Sequence, residues 1–225
     1  QGEVPAAELP REINPERGYI VTANEDLNHL GIAKPINMPM GSYRADRIAA
    51  ELAARDDWTV ETIHALQHDV YSTQAELFMP ILSPCLPDTA ATEVLRGWDL
   101  CYDLESRGAT LFERFYRALF AEVFGAACGA GVARFLLEET NTIADFYANF
   151  DAVLLDARSV WYGSAGRDAV WRTVAAATLV DAARPWGEER RVNMGHLLYG
   201  GRLPRCLGFD RGPIALPGGR ATVHQ

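Results

Sequence analysis

An amide and a guanidinium near the front of the chain are the residue types best placed to do chemistry. Asn24 follows the apolar run Tyr19-Ile20-Val21, and Arg44 stands twenty residues further on, just before Ile48 and Leu52 begin an apolar stripe at helical spacing. A side-chain amide donates hydrogen bonds without titrating, and a guanidinium carries a permanent charge in a planar fork. A strand-end Asn beside a helix-start Arg is therefore a place to hold an oxyanion, the charge that develops when a nucleophile attacks an amide carbonyl. Taken alone, the same residues also read as a turn-forming Asn and a solvated helix-start charge.

The elements that must position the pair follow from the local pattern. Residues 18–23 have the β-branched and aromatic bulk of a strand, and residues 25–41, with Pro35, Pro39 and two glycines, read as a loop. A helix is predicted over 44–55. Thr59 caps a second helix whose apolar face is Val60, Ile63, Leu66, Val70 and Leu77, ended by Pro80, Pro84 and Pro87. A third helix runs from Asp88 or Thr89 to about Trp98. The capping-box pattern Thr110-Leu-Phe-Glu113 opens a fourth, with Phe112, Phe115, Leu119 and Val123 on one face and Tyr116, Phe120 and Phe124 alongside. So wide an aromatic surface predicts burial on two sides, leaving Glu113 and Arg117 on the exposed remainder. Helices over 131–138, 142–150 and 166–183 follow, the last with Ala175, Ala176 and Ala177 as a close-approach surface. Beyond Pro185 the chain turns to Gly, Pro and Arg, with brief β-type runs at 214–216 and 221–223.

Composition sets the outer limits. The 225 residues, 48% hydrophobic and 23% charged, suit a globular core. A net charge of −9 and a pI near 5.0 argue against nucleic acid and anionic membrane surfaces as partners. No apolar run approaches the roughly 18 residues of a membrane span. Cys85, Cys101, Cys128 and Cys206 form no Cys-x-x-Cys pair, and either free thiols or bridges fit their number. His64 and His68 stand four apart, as metal ligands can, but Ala65 breaks the His-Glu-x-x-His pattern.

Several stretches in order resemble the later part of the β chain of the penicillin acylase family of N-terminal-nucleophile hydrolases. They are Gly18-Tyr-Ile-Val-Thr-Ala-Asn24, Arg44-Ala-Asp-Arg-Ile48, Ile63-His-Ala-Leu-Gln-His-Asp69 with Ser72, Trp98-Asp99, Trp186-Gly187 with His196, and Gly212-Pro-Ile-Ala-Leu-Pro-Gly-Gly-Arg-Ala-Thr-Val223. The resemblance implies that Asn24 is the oxyanion-hole Asn and Arg44 the Arg behind it that positions the substrate. It implies a nucleophilic Ser at the N-terminus of the family's β chain, whose own α-amine is the base. Gln1 is not such a residue, so the nucleophile is expected upstream and the chain is read as a fragment, inactive alone. Gln67, Asp69, Ser72 and His196 are taken as structural.

The fold class expected is mainly α with short β segments at the ends, a fragment of an αββα N-terminal-nucleophile hydrolase. Its parts are residues 1–43 (extended lead-in, strand and loop carrying Asn24), 44–184 (helical domain) and 185–225 (irregular return segment). The partners implied are the remainder of the acylase, namely its α chain and the N-terminal part of its β chain, and a small-molecule N-acyl substrate such as a β-lactam or acyl-homoserine lactone; neither nucleic acid nor membrane is expected. No cofactor is expected: the family's calcium ligand between the Asn and the Arg has no counterpart at about Ala33 to Asn37. By the same resemblance the location is periplasmic or extracellular. The alternative is a non-catalytic helical interaction domain or a degenerate acylase relative.

Overall fold

One aromatic helix decides the architecture. In the computed structural model, which describes residues 3–33, 39–138 and 142–224, that helix is α5 (Arg107–Cys128). Its Phe112, Phe115, Tyr116, Leu119 and Phe120 are fully buried, as the width of the apolar face predicts. Helices α3 (Thr73–Leu82), α4 (Ala90–Arg96), α6 (Ala130–Glu138), α7 (Thr142–Leu155) and α8 (Arg167–Thr178) pack around it. Phe78 of α3 stacks on Trp171 of α8 at 5.4 Å and meets Phe112 and Tyr116 edge-on. Each such buried ring is worth roughly 1.5–3 kcal/mol through the area it removes from water, with a further ~0.5–1.5 kcal/mol per well-placed ring pair.

Helix α7 runs five residues past its expected end at 150, and three other boundaries differ from the sequence expectation for a local reason. Helix α5 begins at Arg107, capped by Ser106, whose hydroxyl accepts from the Ala109 amide at 3.2 Å. Thr110 is thus inside the helix and no cap. Gly108 is there for close approach, since a Cβ would sit 2.2 Å from the Trp98 ring. The second helix is really two: α2 (Val60–Gln67), capped by Thr59, and α3, capped by Ser72. Pro80 does not end α3 but sits within its last turn. The single apolar face expected across this region therefore does not exist, and Val60 is 81% exposed. Helix α8 stops at Thr178, where the Leu179 carbonyl turns out to accept from Thr89 Oγ1, and of the three alanines only Ala175 is buried.

The ends of the chain carry little β structure. Strands β1 (Arg191–Met194) and β2 (Arg211–Ala215) pair antiparallel, with Val192 opposite Ile214 and an irregularity before Met194. Residues 18–23 form no strand, because no described segment lies beside them to complete a ladder. They are extended chain laid along helix α1 (Tyr43–Ala53), with the Tyr19 hydroxyl donating to the Ala49 carbonyl at 3.2 Å. Residues 221–223 also form no strand; Ala221 and Thr222 are buried in the core's flank. There the Gly218 carbonyl accepts from Trp186 Nε1, at 2.9 Å, and from Arg190. The four cysteines are free thiols. No described helix is long and apolar enough to cross a membrane.

Candidate active site

Asn24 and Arg44 meet. Arg44 Nη2 donates to Asn24 Oδ1 at 2.7 Å and to the Ala23 carbonyl at 2.8 Å. A guanidinium only donates, so this contact fixes which end of the amide is oxygen and turns Nδ2 away from the Arg. Asn24 itself is exposed, and its Nδ2 is bonded to no described residue.

The backbone at Asn24 is held on both sides. Its φ of +69° lies in the left-handed region, which Asn tolerates better than other residues with a Cβ. The Met40 amide donates to the Asn24 carbonyl at 2.7 Å, and the Glu25 carboxylate folds back to accept from the Ala23 amide at 2.5 Å. Glu25 and Met40 were not singled out from the sequence; a carboxylate one residue past the Asn was the available signal. Arg44 is in turn flanked by Met40 Sδ, at 3.9 Å, and by Tyr147 of α7. Burial raises the Tyr147 hydroxyl above its ordinary range, and the Arg44 charge offsets part of that rise. Arg47, one turn on, pins α1 elsewhere: its Nε donates to Asp69 at 2.6 Å and its guanidinium lies over Tyr71.

Met40 also borders a cleft of about 610 Å³ lined by Thr110, Glu113, Arg114, Arg117, Glu189, Arg190 and Arg220 among others. Four arginines against two glutamates make this wall locally positive in a chain of net charge −9, which favours a small anionic group there. Glu113 is no exposed partner of Arg117, as the helical spacing had suggested. It pairs with Arg220, a residue 107 positions later whose side chain is only 13% exposed. Burial works against the Arg220 charge, but Glu113 and the neighbouring tyrosines hold it above the usual range.

Behind the cleft lies a fully buried carboxylate, Asp151 of α7. It accepts from Tyr116 Oη and Gln74 Nε2, both at 2.7 Å, and from Tyr43 Oη at 3.1 Å. Burial pushes its pKa up to about 6, and those three hydrogen bonds with the Arg220 charge hold it back from rising further. Sequence reasoning missed Asp151 because its partners come from three separate helices.

The remaining candidates are structural in their contacts. Asp69 and Ser72 tie down the turn between α2 and α3, and the Trp98 indole donates to the Cys101 carbonyl at 2.9 Å. His64, His68 and His224 stack in series at 4.3 and 5.2 Å, and His196 Nδ1 accepts from the Leu198 and Tyr199 amides. Asp99, Cys101 and Asp103 bring three potential metal-ligand atoms within 4.8 Å, with Asp99 already accepting from the Cys101 amide. The stretch Ala33 to Asn37, where a family calcium ligand would fall, has no carboxylate and from residue 34 lies outside the described residues.

The chain is 28% identical, over 222 residues, to the penicillin acylase 2 proenzyme of Pseudomonas sp. (strain SE83). The match covers 88% of this chain and 27% of that relative, so the chain spans about a quarter of the relative's length. The penicillin amidase family matches throughout, over residues 1–225, and the chain belongs to that family.

Proposed function

We propose that this chain supplies the oxyanion-binding amide of an amidohydrolase that cleaves the amide bond of an N-acylated small molecule, such as a β-lactam or an acyl-homoserine lactone. The observation that carries the reading is the Arg44–Asn24 contact, which holds Oδ1 and leaves Asn24 Nδ2 as the end of the amide that can donate to a substrate. When a nucleophile adds to the substrate carbonyl, the negative charge that forms on oxygen is met by an N–H already in place. One such donor is worth roughly 3–4 kcal/mol when measured by deletion. Arg44 polarises the amide and keeps it from turning. The nucleophile is a Ser in the remainder of the acylase, activated by its own α-amine; the match to about a quarter of a proenzyme supports a site completed by other parts of the protein. The parent would then carry the αββα core, arise by self-cleavage of a proenzyme, work in the periplasm or outside the cell, and need no cofactor.

The decisive substitution is Asn24→Asp in the complete protein. Aspartate tolerates the same backbone and still accepts from Arg44, but it cannot donate. A fall in kcat of about 10²–10³-fold with folding intact is expected; unchanged turnover would abandon the reading in favour of a non-catalytic or degenerate relative. Intact mass of the complete product supplies a second check, with two polypeptides expected and a single uncleaved chain counting against self-processing.

A further inference from the structure

The start of α1, on which Arg44 sits, rests on α7 through three contacts. Gly41 presses so closely that a Cβ there would lie 2.6 Å from Ala148 Cβ. The Tyr43 ring stacks on Tyr147 at 5.6 Å, and the Tyr43 hydroxyl donates to Asp151 Oδ2 at 3.1 Å. From α3, Thr73 Oγ1 donates to the Tyr43 carbonyl at 3.0 Å. Asp151 thus joins the first turn of α1 to Gln74 of α3 and Tyr116 of α5, and Gln74 passes the connection on to Arg220 at the cleft wall at 3.4 Å.

We propose that Asp151, resting on the oxyanion reading of Asn24, is a positioning residue: through Tyr43 its carboxylate seats the first turn of α1 and so holds the Arg44 guanidinium against Asn24. Three donors converge on Asp151, and only the ionised carboxylate accepts from all of them without one being turned away. The groups facing it are Tyr43 from α1, Gln74 from α3, Tyr116 from α5 with Glu113 a turn before it, Arg220 from the C-terminal segment, and Tyr147 on α7 itself. A proton on Asp151 turns one of its oxygens into a donor, so one of the three groups must swing its own hydrogen away, and the Tyr43 bond, the longest of the three, is the first to change.

The inference separates two tyrosines bonded to one carboxylate. In the complete protein Tyr43→Phe is expected to lower kcat about tenfold with KM little changed, since it cuts the tether to Arg44 and leaves the ring stack. Tyr116→Phe removes a comparable bond on an element that does not carry the pair, and is expected to lower kcat by no more than about twofold at a similar loss of stability. The parent is expected to lose kcat more steeply below about pH 6, and Asp151→Asn should remove that extra steepening. Equal kcat losses in the two tyrosine variants, or full activity in Tyr43→Phe, would overturn the inference while Asn24→Asp still abolishes turnover. Retained turnover in Asn24→Asp would overturn the oxyanion reading, and the positioning role with it.

Discussion

Helix α5 and residues 3–33 are built on opposite principles. Eleven of the 22 residues of α5 are buried, whereas among residues 3–33 Ala23 alone is. The first is held by apolar area, which is non-directional and spread over many neighbours. The second is held by a handful of directed bonds: Tyr19 to Ala49, Arg44 to Ala23 and Asn24, Met40 to Asn24, and Glu25 to Ala23. Bonds of that kind contribute about 1 kcal/mol each. The candidate site can therefore loosen without the core noticing, whereas damage to the core takes the site with it.

The contrast can be broken most forcefully from the core side. Phe115→Ala leaves a cavity beside Trp171, against which the Phe115 ring packs edge-on at 5.4 Å, and should cost about 3–5 kcal/mol in urea denaturation. Next comes a largely buried ion pair: Arg220→Ala strands Glu113 and should cost roughly 3 kcal/mol by the same measurement. A comparable effect at its limit, but graded, is set by pH. Asp151 has its pKa raised from 3.8 to about 6 on folding, so the folded state holds the proton more tightly. Stability from this group is complete below pH 4 and is lost as pH rises through about 6, by up to roughly 3 kcal/mol; the slope should vanish in Asp151→Asn. Smallest is Arg44→Lys, which keeps the charge but not the fork. Hydrogen exchange at the Met40 amide should speed up about tenfold while the urea midpoint stays put; a shifted midpoint would mean that the front segment is part of the core after all.

What the sequence made legible follows the same division. The Thr59 cap, a helix start at Asp88 or Thr89 and the aromatic face of α5 were readable because each is local, set by residues within a few turns. The Thr110 pattern misled because Gly108, normally a helix breaker, is used for contact with Trp98, a fact carried by another segment. Pro80 misled in the other direction, since a helix tolerates it in this last turn. Asn24 and Arg44 were legible as a pair through the family resemblance, and the structure brings their side chains into contact. Asp151 was not, because Phe150-Asp-Ala-Val153 offers no local hint that Tyr43, Gln74 and Tyr116 converge there. Glu113 was assigned to Arg117 by helical spacing, and only the return of the chain at Arg220 shows otherwise.

That return has a consequence for how the protein is made. Glu113 and Arg220 are 107 residues apart, and a ribosome adds about 5–20 residues per second, so Glu113 waits roughly 5–20 s for its counterion to be synthesised. Throughout that interval the nascent chain holds this carboxylate beside an aromatic face without the counterion it has in the finished fold. Final packing of α5 at this point is therefore a late event of translation, and the stretch between the two residues is the window in which a chaperone has most to protect.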